Sequence, residues 1–288
     1  MPPTVAYHIV DGAVIFQFAI DAHHAVSRFP SEWSRTPWPA KDAGRVNGSR
    51  DGARAFEVMP VLVCTGSDKG GVGKTTIARA LLDFLKDKGL RPTVFDTEPD
   101  PGVLRRFYKN AKSVDVGIVR GQMEVFDEVE SAGFTFVDIK AGGLSKVLTT
   151  MRDAGLLKDV HAGKMRMIVI HVLGSTEASL REIETASAVL AEGGEHILVK
   201  NHATDGQFFE WDKTTYDSFF KPGQLMLDVP HLDGMACDAV DQKATSFSDF
   251  IADETNSRML RGIVRHWLGQ VFAQFETAAN LTTLKEGL

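Results

Sequence analysis

The sequence predicts an α/β fold, a mostly parallel sheet with helices on both faces, three layers deep. Two observations carry this. From Met59 onward, short apolar runs alternate with helix-patterned stretches over about 230 residues. The runs are also nearly continuous in hydrophobicity, as strands covered on both faces require. The bulk composition agrees: 288 residues, 43% hydrophobic and 24% charged, hold ample apolar material for a large core.

Residues 1–58 differ from the rest and read as an N-terminal extension, partly disordered. "AYHIVDGAVIFQFAID" fits a hairpin turning at Asp11-Gly12. The following "SRFPSEWSRTPWPAKDAGRVNGSRDGARA" is rich in Pro, Gly, Ser and Arg and has no period of 2 or 3.6. The extension is either a tail or an over-extended start ahead of Met59. The main domain then spans 59–288. Its expected strands are "PVLVC", "PTVF", "FTFV", "MRMIVIHV", "HILV" and "QLMLDV". Among the helices, "TTIARALLDFLKDKG" sets Ile77, Leu81, Leu82 and Leu85 on one face and stops at Gly89. "EASLREIETASAVLAEGG" is a second. "SRMLRGIVRHWLGQVFAQF" is a third, with Leu260, Ile263, Val264, Trp267, Leu268 and Val271 opposed to Arg258, Arg261 and Arg265.

Several function classes are disfavoured by composition. A net charge of −6 gives no global basic field for nucleic acid. Two distant cysteines, Cys64 and Cys237, exclude a disulfide framework and a zinc or iron–sulfur site held by cysteines of one chain. They point to a reducing, cytoplasmic setting. No run approaches the roughly 20 apolar residues of a membrane span. "GAVIFQFAI" follows Asp11 instead of a basic segment, which argues against a signal peptide. His23 and His24 have no carboxylate or cysteine at ligand spacing, so no metal is assigned to them.

"PVLVCTGSDKGGVGKTT" is a strand, a glycine-rich turn and a helix start, the setting of a phosphate-binding loop. Gly70, Gly71 and Gly73, with Val72 between, let backbone N–H groups approach phosphate oxygens. Lys74 is placed to reach the β- and γ-phosphates, Thr75 to offer its hydroxyl to Mg²⁺, and Thr76 to continue the helix start. Asp96 ends the run "PTVFD" and Asp138 ends "FTFVD", so each puts a carboxylate at the C-terminal end of a strand, near the phosphates. Gly142 or Gly143 lets the backbone after Asp138 swing toward the γ-phosphate. Asn201 closes "HILVKN", and its amide can meet both edges of a purine.

The loop departs from the standard pattern: Asp68 stands where a glycine is usual, and Lys69 adds a second lysine. In this variant, KGGxGK[ST], the chain resembles the ParA/MinD group of ATPases, the deviant Walker-A class, over about residues 59–275. The resemblance implies that Lys69 crosses a dimer interface to phosphates held by a partner copy. It also implies that Asp96 organises Mg²⁺, that Glu98 aligns the attacking water, that Asp138 holds Mg²⁺ through water, and that Asn201 and Pro230 flank adenine. Two positions deviate. Glu98 stands where the family has Asp, leaving Asp100 as another candidate, and Lys140 and Ala141 replace prolines.

The resemblance therefore implies a slow Mg²⁺-ATPase that forms an ATP-dependent homodimer and serves plasmid or chromosome partition or cargo positioning. Nonspecific DNA and a small DNA-binding adaptor protein are the expected partners. The basic C-terminal helix is first a helix packed on the sheet; the sharper readings are a DNA-binding edge or a membrane-surface helix. The final "NLTTLKEGL", with little apolar face, favours DNA over membrane. The alternative function is a nearly non-hydrolysing nucleotide-binding adaptor in a conjugation or secretion assembly. A cobyrinate-type amidating synthetase is disfavoured, because such enzymes usually carry a second, glutamine-handling domain.

Overall fold

The structure, a computed structural model, describes residues 6–10, 13–17, 59–67, 70–99, 102–173, 177–190, 194–202 and 225–284. The chain divides into two compact units, Met1–Ala55 and Phe56–Leu288. In the first, β1 (Ala6–Val10) pairs antiparallel with β2 (Ala13–Gln17), with Ala6 opposite Gln17 and Val10 opposite Ala13. This is the expected hairpin; its turn residues Asp11 and Gly12, like His23 and His24, lie outside the described residues.

The second unit is built on β3 (Val61–Gly66), β4 (Thr93–Asp96), β5 (Lys112–Ser113), β6 (Phe134–Asp138), β7 (Arg166–Leu173), β8 (Glu195–Asn201) and β9 (Leu225–Val229). They form one parallel sheet in the order β5-β4-β6-β3-β7-β8-β9. The strand that leads into the phosphate loop, β3, is therefore central. Register sets the site: Thr65 lies opposite Asp138, and Asp96 opposite Asp138 on the other side. Two aspartates and the loop so emerge together at the C-terminal edge of the sheet.

Alternation along each strand feeds two cores. Val63, Phe136, Ile170, Val172 and Val199 point to one face. There they meet α1 (Lys74–Asp87), α6 (Gly234–Lys243), α7 (Phe247–Ala252) and α8 (Arg258–Leu284). Leu62, Cys64, Phe95, Val137, Met167 and Val169 point to the other. They pack on α2 (Val119–Ala132), α3 (Leu144–Asp153), α4 (Leu156–His161) and α5 (Glu177–Leu190). The expected three layers are thus present. Val264, Trp267, Leu268 and Val271 of α8 are buried, so this helix packs on the sheet by its apolar face, while Arg258 and Arg265 are exposed. Strand β5 was not foreseen: two residues carry no period. Cys64 and Cys237 are free thiols, the first fully buried.

Candidate nucleotide site

The loop between β3 and α1 turns through two left-handed glycines, Gly71 at φ 81° and Gly73 at φ 83°. Side chains are strained there, so only glycine serves cheaply. Gly73 caps α1 without a side-chain hydrogen bond, and no acidic residue occupies the first helical turn. The positive helix end is left for an anion. Asp68 and Lys69 lie outside the described residues, as does Asp100.

Asp138 is the centre of the described site. It is fully buried, and burial pushes its carboxyl above the ordinary value, opposed chiefly by the Lys74 charge and the Thr65 hydrogen bond. Lys74 Nζ donates to Asp138 Oδ1 at 3.2 Å, Thr65 Oγ1 to the same oxygen at 2.7 Å, and Thr75 Oγ1 to Oδ2 at 3.4 Å. Lys74 Nζ also lies 3.9 Å from Glu98 Oε1. Lys74, Thr75, Glu98 and Asp138, singled out separately in the sequence, therefore converge. A hydroxyl and a carboxylate side by side are hard oxygen donors, and this donor set fits Mg²⁺.

Asp96, also fully buried, is engaged differently. Its Oδ1 accepts the Glu98 N–H at 3.0 Å; its Oδ2 accepts those of Leu104 at 2.8 Å and Arg105 at 3.3 Å. The chain returns to it through Gly102 at φ 76°, where a Cβ would stand 2.5 Å from Asp96 Oδ2. In this conformation Asp96 shapes the turn that carries Glu98, and its oxygens face backbone amides.

Asn201 is 7% exposed and donates Nδ2 to Val72 O at 2.9 Å, tying the end of β8 to the phosphate loop. Pro230 follows β9, and its carbonyl accepts the Trp267 indole N–H at 2.8 Å. Thr76 is half-buried on α1. Sequence reasoning missed Thr65 and Thr97. Each is a buried hydroxyl at a strand end, and that break in an apolar run is the signal that marks them. Among the described residues no group of three or more His, Cys, Asp or Glu is arranged to hold a metal, and no helix is long and apolar enough to cross a membrane.

This loop, sheet and carboxylate arrangement defines a nucleotide-binding α/β domain. The model of the CobQ/CobB/MinD/ParA nucleotide binding domain matches residues 63–286, and the chain belongs to that family. Cobyrinate a,c-diamide synthases from two serovars of Leptospira interrogans are each 29% identical over 35% of this chain. The match spans 28% of those relatives' length. The MinC:MinD cell division complex of Aquifex aeolicus superimposes with a TM-score of 0.38 and 12% identity, over 72% of this chain and 96% of that one.

Proposed function

We propose that this protein binds Mg²⁺-ATP, hydrolyses it slowly, and uses the nucleotide to switch into a homodimer that positions a plasmid, a chromosomal locus or another cargo. The observation that carries the reading is the convergence of Lys74, Thr75 and Asp138 beside the left-handed glycine turn. Backbone amides of the loop and the α1 N-terminus cradle the phosphates. Lys74 leaves Asp138 for the β- and γ-phosphates. Thr75 and Asp138 would hold Mg²⁺, which would supply positive charge against that of the phosphate groups. Glu98, on the Asp96-shaped turn, aligns water. Asn201 and Pro230 flank the base. Lys69 reaches the phosphates of the partner copy, so the dimer lasts as long as the triphosphate. Nonspecific DNA and a small DNA-binding adaptor protein are the proposed partners, in a cytoplasmic setting.

A second reading is favoured by one contact. Glu98 faces Lys74 at 3.9 Å, where a cation occupies the carboxylate that would align water. A chain that keeps this pairing binds ATP but barely turns over, as an adaptor would. Light scattering of Glu98→Gln with Mg²⁺-ATP and with ADP tests the switch: a dimer only with ATP is expected, and a monomer in both refutes it. Turnover with and without duplex DNA separates the two readings.

A further inference from the structure

Thr97 sits between Asp96 and Glu98 and has no role in the scheme above, yet it is only 2% exposed. Strands β4 and β6 stay in register as far as the Asp96–Asp138 pair. Beyond it, Thr97 bonds to the β6 side twice. Its N–H donates to Asp138 O at 3.0 Å, and its Oγ1 accepts the Lys140 N–H at 2.7 Å. The side chain thus takes over from the backbone ladder where the strands end. On one side of Thr97 is the turn carrying Glu98, held by hydrogen bonds to Asp96. On the other is the segment Ile139–Gly142, itself held to the phosphate-loop strand by Ile139 N to Thr65 O and Gly142 N to Ser67 O, each 3.0 Å. The donor exists because residue 140 is not proline, which has no N–H.

We propose that Thr97 is a positioning residue that locks the Glu98 turn to the loop after Asp138, so that both answer the γ-phosphate as one body. The inference rests on the ATP-switch reading. Loss of the hydroxyl strands the Lys140 amide and leaves the Thr97 N–H to Asp138 O bond as the one remaining tie that Thr97 makes, which loosens the coupling of the two segments.

The test compares the full chain with Thr97→Val, which keeps shape and removes the hydroxyl, and Thr97→Ser, which restores it. Steady-state ATP hydrolysis is read together with hydrogen exchange of residues 97–105 and 139–143, with and without Mg²⁺-ATP. Wild type should gain protection in both segments. Thr97→Val should protect only one, with kcat about tenfold lower and KM unchanged, and Thr97→Ser should recover both readouts. If turnover is too slow to measure, exchange alone decides. Joint protection and wild-type kcat in Thr97→Val overturn the lock and leave the ATP reading standing. Wild type that neither binds nor responds to ATP overturns both. If Thr97→Val does not fold, Lys140→Pro removes the donor in its place and is judged by the same outcomes.

Discussion

Acidification from pH 7.5 to 5 should cost the larger unit about 2 kcal/mol through His171 alone. This residue lies on β7, 2% exposed, with Nε2 2.9 Å from His196 Nδ1 and the two rings stacked at 5.1 Å. Its Nδ1 finds no hydrogen-bond partner among the described residues. Burial, and next the neighbouring His196, pull it down to about 3 from an ordinary 6.5. The unfolded chain therefore takes up the proton first. The stabilising contribution is complete above pH 6.5 and falls as pH drops toward 3, by about 1.4 kcal/mol per unit once well below 6.5. In thermal unfolding of a domain this size, the loss at pH 5 is a fall of roughly 4–8 °C. Asp83 and Asp138, raised by burial, act with the opposite sign, so the comparison is made against His171→Leu. That variant should lose the His171 part of the slope. An unchanged slope between pH 7.5 and 5 would refute the assignment.

Two further outcomes follow from packing. Gly102→Ala forces a side chain into left-handed backbone against Asp96 and should cost about 1–3 kcal/mol in urea unfolding; an unmoved midpoint contradicts the close approach. Arg79→Ala should cost about 2–4 kcal/mol, because its guanidinium lies 3.5 Å from the Phe107 ring centre and 4.3 Å from that of Phe247, and pairs with Asp241 at 2.7 Å. A loss below about 0.5 kcal/mol, the range of an ordinary surface substitution, would contradict that account.

The layers were legible because burial on both faces writes itself as continuous apolar runs, and each expected strand from Met59 onward is present. Lys74 and Thr75 were legible because strand, turn and helix fix their spacing, and Asp138 because it ends an apolar run. The surroundings of Asp96 were not: beyond Glu98, its partners lie eight and nine residues on and depend on the reversal at Gly102. The burial of Arg79 and Asp83 was not legible either, for a different reason. Helical periodicity puts them off the Ile77–Leu81–Leu85 face, where solvent is the default. Instead the one Tyr108 hydroxyl proton is shared between Asp83 Oδ1 at 2.8 Å and the Arg79 carbonyl at 2.9 Å, and Ser248 N–H donates to Asp83, which buries that face too. Such contacts span up to 165 residues, and no local pattern encodes them.

The Arg79 sandwich also sets an order of events during synthesis. Helix α1 leaves the ribosome early, but the ring and the carboxylate that close over its guanidinium, Phe247 and Asp241, arrive more than 160 residues later. A nascent chain ending before Asp241 holds Phe107 alone against that cation. The helix that begins with the phosphate-binding lysine is therefore completed only when most of the polypeptide has emerged, and a prematurely terminated product lacks the contacts that seat it.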